Sequence, residues 1–330
     1  VTGRYSRSVN TEAPGVRGVG FRDTCQDMIA IAYRKPAWAA ETLRYLLSQQ
    51  YADGHTAHLS YREEWYPPVG GKPKSDNHLW PALVAYAIAA ETGDLAFLDT
   101  PAPFLRDDGT PGAAASLWRH LMAAVDFAES HRGAHGLLLT LGGDWNDIIG
   151  RFSERGRGET VFASQQYVYT LRLLIELADA AGKRGDAARM RVCLAEQEAA
   201  LLACAWDGGW WRRGFDDDGV PVGSSRARFG RIFLNPQSWA VISGVGDRGR
   251  LVRAMDAAHA HLQTPVGLKL MAPGFAGWNL EPGKTPVGYG AGCGENGAIF
   301  CHANPWAVMA EAILGRGDRA WQLFTQLIPA

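Results

Sequence analysis

Apolar residues recur at three- and four-residue intervals in segment after segment of this chain, and that spacing most limits how it can fold. The segments 37–50 ("AWAAETLRYLLSQQ"), 79–94, 116–131, 165–182 and 188–206 all carry it, and an interval of this size repeats one face of an α-helix. Gly-Asp pairs recur as punctuation between helical runs: Gly93-Asp94, Gly185-Asp186, Gly246-Asp247 and Gly317-Asp318. Glycine reaches the left-handed conformation that closes a helix, and aspartate caps the next one. The pairs therefore predict a repeated helix–Gly–Asp–helix unit. A longer repeat agrees: "IFLNPQSWAV" (232–241) and "IFCHANPWAV" (299–308) lie 67 residues apart, match at Ile, Phe, Trp, Ala and Val, and both run on into Gly-Asp-Arg. Repetition on this scale predicts a solenoid or a closed toroid of helix pairs. The expectation is one all-α domain over residues 1–330, an (α/α) barrel in preference to an open superhelical scaffold.

Between the helical segments lie long loops rich in Gly, Pro and charge, at 51–76, 100–114, 132–160, 207–230 and 264–297. Loops of that length inside a compact domain are usually functional. Charge excludes some functions: 33 basic against 34 acidic residues give a net charge of −1, with no basic stripe for nucleic acid. No apolar run reaches the ~18 residues of a membrane span. Five cysteines, Cys25, Cys193, Cys204, Cys293 and Cys301, form no Cys-x-x-Cys pair. That argues against a disulfide framework or zinc site and favours a reducing, cytoplasmic setting. Twelve tryptophans suit a large core or stacking under sugar rings. The opening "VTGRYSRSVN" lacks methionine and the end "LFTQLIPA" follows a helical pattern, so we expect an excised piece of a longer protein.

Four stretches concentrate reactive side chains. "RGVGFRDTCQD" (17–27) holds Arg17, Arg22, Asp23, Gln26 and Asp27. Arginine forks beside carboxylates suit a polyhydroxylated ligand or a phosphate, or simply a salt-bridged helix start. In "KSDNHLW" (74–80), Asp76 or Asn77 serves a site or caps the following helix. "LGGDWNDIIG" (141–150) sets Asp144 and Asp147 around Trp145, and "GRGET" (156–160) follows. "CGENGAIFCHANPW" (293–306) places Glu295 and His302 in a loop-to-helix passage, where a histidine is a ligand-binding group or a satisfied core residue. No metal is expected, since no His-rich pair has ligand spacing, and no Gly-rich nucleotide cradle is present.

None of these stretches is specific alone, but their order is. "GVGFRDTCQD", "DNHLW", "GGDWND" with "GET", and "ENGAIFCHANPWAVMAEAILGRGDRA" together resemble the catalytic domain of the inverting glycoside phosphorylases of glycoside hydrolase family ninety-four, over residues ~5 to 321. Cellobiose and N,N'-diacetylchitobiose phosphorylases belong to that family, and cyclic β-1,2-glucan synthases contain a related domain. The resemblance implies an (α/α)6 barrel, normally preceded by a β-sandwich and followed by a small C-terminal region, both of which we expect to be missing here. It implies reversible phosphorolysis of a β-linked sugar, with inorganic phosphate as co-substrate, no other cofactor, and homodimers as the common assembly.

By the same resemblance Asp147 is the general acid and Asp144 the structural partner that holds the loop. Arg22 and Asp27 grip donor-sugar hydroxyls, Trp145 walls the cleft and raises the acid's pKa, and Glu295 lies beside the sugar. His302 binds phosphate, with Arg17 or Arg22. Two departures stand out: the family's lysine before the glutamate is Gly294 here, and its Thr-Gly phosphate loop has no counterpart before residue 330. Two other readings remain open. An inverting hydrolase needs a second carboxylate roughly 6.5–9.5 Å from the acid, for which Glu295 and Glu159 are the candidates. The other is a carbohydrate-binding or phosphorylase-like domain within a glucan synthase. Glu63, Glu64, Trp65 and Tyr66 either contact an acceptor or form a solvated loop.

Overall fold

The computed structural model describes residues 19–60, 72–276 and 290–328. Among these residues there are ten α-helices: α1 (Phe21–Ala32), α2 (Pro36–Leu47), α3 (Trp80–Thr92), α4 (Leu117–Ser130), α5 (Val161–Ala180), α6 (Arg184–Cys204), α7 (Leu234–Ser243), α8 (Arg248–Leu262), α9 (Asn304–Ile313) and α10 (Gly317–Leu327). The five periodic segments are α2 to α6. Helix α1 was less legible, because charged and polar residues crowd its first turns.

The chain divides into two compact units, Val1–His131 with Thr170–Cys193 and Arg132–Tyr169 with Leu194–Ala330. In the first, α1, α2 and α3 pack on one another through fully buried Met28, Leu43, Leu46, Leu47 and Val84. In the second, α7 packs on α8 and α9, and α9 on α10. Its core gathers Leu137, Val161, Val168, Leu201, Trp211 and Phe215.

One Gly-Asp pair works as expected throughout; at Gly246-Asp247 only the aspartate does, since Gly244 (φ 72°) closes α7. Gly93 is the left-handed cap of α3 (φ 66°), and Asp94 accepts from the Ala96 N–H at 2.8 Å. Asp247 caps α8, accepting from the Arg250 N–H at 3.0 Å. The other two need correction. Gly185-Asp186 and Gly317-Asp318 lie inside the first turns of α6 and α10. The left-handed glycines there are Gly182 (φ 70°) and Gly315 (φ 74°), which stand nearer the last apolar residue of the preceding helix.

The repeated decapeptide also divides. Ile232-Phe233 is a short strand that leads straight into α7. In the second copy turns intervene after Ile299, and α9 begins only at Asn304. Asn304 fixes that entry, accepting from the Leu268 N–H at 2.8 Å and donating to the Phe300 carbonyl at 3.0 Å.

Several loops contain strands too short to show alternation. In the second unit, Leu138–Leu139, Glu159–Thr160, Gly214–Phe215 and Pro221–Val222 form a four-stranded antiparallel sheet in that order. Gly214 must be glycine, because a Cβ there would stand 2.0 Å from the Glu159 carbonyl oxygen. This sheet brings 138–160 against 214–222 and so sets up the site.

His78, in the first unit, is buried against Phe127 (ring centroids 4.9 Å, edge-on). Burial first, and repulsion from His131 second, lower its pKa to about 3. Above its ordinary value of ~6.5 it is neutral in both folded and unfolded chains. As pH falls below that value, only the unfolded chain takes up the proton, so stability drops by about 1.4 kcal/mol per pH unit down to the folded pKa. Denaturant titrations at pH 7 and pH 5 are therefore expected to differ by about 2 kcal/mol more in the protein than in His78→Leu. Equal pH dependence in both would refute the assignment.

Candidate active site

The loop 141–147 turns sharply. Gly143 has φ 126°, and Leu141 is a non-glycine in the left-handed region (φ 55°), a conformation that costs about 1–3 kcal/mol and persists only where its surroundings enforce it. Close approach requires a glycine at 150, in the 3-10 helix Asp147–Ser153: a Cβ there would stand 2.6 Å from the Gly142 carbonyl oxygen.

What enforces the loop is a buried polar network. Asp144 is fully buried and paired at 2.5 Å with Arg213, which is equally buried. Its second oxygen accepts from the Thr160 hydroxyl at 2.6 Å, and its first from the Asn146 N–H at 2.9 Å. Arg213 also donates to Thr160 Oγ1 at 3.0 Å and to the Asn146 side-chain oxygen at 3.1 Å. Asn235 Nδ2 donates to that same Asn146 oxygen at 3.2 Å. The guanidinium lies over Phe162 and Phe233, 5.7 and 5.9 Å from their centroids. A buried ion pair is tolerable only when hydrogen bonds satisfy most of its remaining atoms, and these satisfy both carboxylate oxygens and both terminal guanidinium nitrogens, leaving Arg213 Nε buried without a partner among the described residues. Asp144 thus holds the loop, as expected. Arg213 and Asn235 were not anticipated; "WWRRGF" shows two arginines, and nothing in the sequence says which one is buried.

Asp147 follows the network but points out of it: its side chain is exposed. The backbone N–H groups of Asp147 and Ile148 donate to the two carboxylate oxygens of Glu295, at 3.3 and 3.2 Å. An anion at a helix N-terminus is favourable, since the first amides lack partners within the helix. Glu295 thus sets the direction in which Asp147 leaves the loop. Exchanging one oxygen for an amide opposes a donor to a donor, so Glu295→Gln is expected to lower kcat about tenfold while KM changes less than twofold. A rise in KM at constant kcat would instead mark Glu295 as a group that only binds sugar.

Trp145 is buried, edge-on to Phe300, His302 and Trp306 with centroids 5.2, 4.9 and 5.1 Å away. Trp306 in turn meets Trp239 at 5.3 Å. The indole packs into this cluster, while the Asp147 side chain is exposed. His302 is half-buried, its ring between Trp145 and Trp306. Trp145 with His302, and the Asp147 backbone with Glu295, are thus two contacting pairs joined through the loop 145–147 in the second unit.

Arg22 and Asp27 belong to α1, in the first unit. Arg22 is buried, with one guanidinium nitrogen 3.4 Å from each Asp76 oxygen. The Trp80 indole donates to Asp76 at 2.9 Å. Asp76 occupies a helix-cap position but makes no capping bond; its carboxylate orients Arg22 instead. Asp27 is half-buried. Arg17, Glu63, Glu64, Trp65 and Tyr66 lie outside the described residues.

Glu159 has a different role from the one weighed for it. It is buried, accepts from the His135 and Leu137 N–H groups at 3.0 and 3.2 Å, and is bonded to His135 Nδ1. Among the described residues no group of three or more His, Cys, Asp or Glu side chains is arranged to hold a metal ion, and no helix is long and apolar enough to cross a membrane.

A sequence model of the glycosyl hydrolase 94 superfamily catalytic domain matches residues 1–330. The chain belongs to that superfamily. It is 34% identical over 93% of its length to the 3-O-β-D-glucopyranosyl-β-D-glucuronide phosphorylase of Paenibacillus borealis, covering 39% of that protein. It is 35% identical over 96% of its length to the N,N'-diacetylchitobiose phosphorylase of Vibrio furnissii, covering 42%. The chain thus spans about two-fifths of the length of these curated relatives. Among solved structures, the GH63 mannosylglycerate hydrolase of Thermus thermophilus matches with a TM-score of 0.65 at 14% identity, over 94% of this chain and 84% of that one. That likeness shows the fold, which is all-α and of the (α/α)6-barrel type.

Proposed function

We propose that this chain carries the catalytic centre of an inverting glycoside phosphorylase acting on a β-linked disaccharide or short oligosaccharide. The observation that carries the reading is one outward carboxyl group, Asp147, on a loop fixed from behind by Asp144–Arg213 and from the side by Glu295. In the reaction Asp147 gives its proton to the glycosidic oxygen as the bond from that oxygen to the anomeric carbon breaks. A phosphate oxygen attacks the opposite face of the same carbon, forming an α-sugar-1-phosphate and releasing the shortened acceptor. Phosphate is already an anion, so no carboxylate base is needed to activate it. Cationic and N–H donors take the base's place, with His302 as the phosphate ligand beside Asp147. Arg17 and Arg22 are assigned to phosphate or donor sugar, and Asp27 to the donor, by resemblance.

A hydrolytic reading is less well supported, because Glu159 is committed to His135 and Glu295 to the backbone of the acid's own helix. One family model running across both units supports a single catalytic domain over 1–330, and five free cysteines support a reducing, cytoplasmic setting. The test uses the full protein with β-linked glucosyl and N-acetylglucosaminyl disaccharides, with and without phosphate, followed by phosphorus NMR. A phosphate-dependent α-sugar-1-phosphate is the expected product. Free sugar released equally without phosphate would make it a hydrolase, and no turnover on any substrate would favour a binding or synthase domain.

A further inference from the structure

Two of the long loops, 51–76 and 100–114, meet at a cavity of about 630 Å³ in the first unit. None of the residues that line it belongs to the candidate active site. Both loops are pinned there. Gly54 (φ 101°) lets the 51–55 turn lie on α4, since a Cβ there would stand 2.0 Å from the Ala123 carbonyl oxygen. The Tyr51 N–H donates to the His55 carbonyl at 2.9 Å and closes that turn. The Leu105 N–H donates to the Gln50 carbonyl at 2.7 Å, which fastens the hairpin of Pro101–Leu105 and Pro111–Ser116 beside it. Tyr51 and His55 are thereby stacked, with centroids 4.1 Å apart and planes 7° from parallel, and Phe127 backs His55 at 5.9 Å.

Three carboxylates and one guanidinium stand around this stack. Asp53 spends one oxygen on His55, accepting from its N–H at 3.1 Å and bonding its ring nitrogen at 2.6 Å. Asp108 spends one on Thr110, accepting from the N–H at 2.9 Å and the hydroxyl at 2.6 Å. Their second oxygens, the whole Asp107 carboxylate and the Arg106 guanidinium make no hydrogen bond among the described residues. Burial first, then the carboxylates of Asp107 and Asp53, raise the pKa of the Tyr51 phenol, so its hydroxyl stays protonated and able to donate.

Three carboxylates against one guanidinium repel an anion, phosphate included, and they are not arranged to hold a metal ion. A rigid aromatic stack ringed by unspent acceptors and one donor fork suits an uncharged sugar. The C–H face of the sugar lies on the ring, its hydroxyls donate to the carboxylates, and the guanidinium donates to its oxygens. We infer that this cavity is a second saccharide-binding site, which holds a neutral stretch of an oligosaccharide with Tyr51 as the platform and Asp107 and Arg106 as the hydroxyl partners. The binding does not rest on the phosphorylase reading.

The test is a calorimetric titration of the full protein with a β-linked glucosyl tetrasaccharide, repeated with Tyr51→Ala and Asp107→Asn. Each variant is expected to weaken one binding event about tenfold and to leave kcat and KM for disaccharide turnover unchanged. Asp107 is exposed, so Asp107→Asn keeps the fold whatever Tyr51→Ala does. A tetrasaccharide of glucosamine, whose amines are charged, separates a sugar site from a cation site. Tighter binding of the amine that fades with added salt overturns the inference, because the carboxylates would then be holding a cation. Tetrasaccharide binding that is unchanged in Asp107→Asn and in a folded Tyr51→Ala also overturns it. So does a loss of disaccharide turnover in Asp107→Asn, which would move the residue into the catalytic machinery. Absence of turnover in every protein, the unaltered one included, would strike the phosphorylase reading alone.

Discussion

Asp147→Asn is expected to lower phosphorolysis of an ordinary disaccharide by about 10²–10⁴-fold, the usual worth of a positioned general acid. Asparagine keeps the volume and the backbone donors that Glu295 accepts, so the loop keeps its shape. Because the side chain is exposed, stability should shift by no more than about 0.5 kcal/mol. The loss depends on the leaving group. A dinitrophenyl glycoside departs as a stable anion and needs no proton, so its phosphate-dependent cleavage should fall only a few-fold. Steady-state rates on both substrates, with melting curves of both proteins, decide the matter. Equal losses on the two substrates would show that Asp147 binds or orients sugar and is not the proton donor.

Arg213→Met is expected to be the most destabilising single change at the site. It leaves the Asp144 carboxylate buried without its cation, a situation that costs about 3–5 kcal/mol. At roughly 2–4 °C per kcal/mol for a unit of this size, the melting temperature should fall by about 10 °C. The double variant Asp144→Leu with Arg213→Met removes both charges and should regain most of that stability, since replacing a whole buried pair with apolar groups is often neutral. Activity should not return with it, because Asn146 and Thr160 lose the partners that aim the loop. Recovery of both together would mean that the network maintains the fold and has no part in placing Asp147.

The helices of the periodic segments were legible because a stripe at three- and four-residue intervals is a direct imprint of burial on one side. Glycine punctuation was only partly legible: Gly93 and Asp247 act where they stand, while at "AAGKRGD", "SGVGD" and "LGRGDR" the earlier glycine closes the helix. The short sheet left no trace, since two-residue strands cannot display alternation. At the site, the motifs singled out Asp144, Asp147, Glu295 and His302, all of which lie in the second unit. Arg213 and Asn235 escaped because a buried cation is defined by what surrounds it, and its partner Asp144 lies 69 residues away along the chain. The direction of Trp145 escaped for the same reason. Sequence says that an indole is next to the acid, but only packing says which way it faces.

That packing gives the protein an optical readout of its own. His302 lies edge-on to one indole and tilted against another, with ring centroids 4.9 Å from Trp145 and 5.2 Å from Trp306. A protonated imidazole quenches a neighbouring indole far more than a neutral one does. With His302 as the phosphate ligand proposed above, the bound anion would favour the protonated ring, and phosphate is then expected to dim the emission of these two tryptophans. Phosphate occupancy is then readable as a fall in intensity without label or substrate. Inorganic phosphate titrated into the resting enzyme would report its own affinity, separately from anything that happens to the sugar.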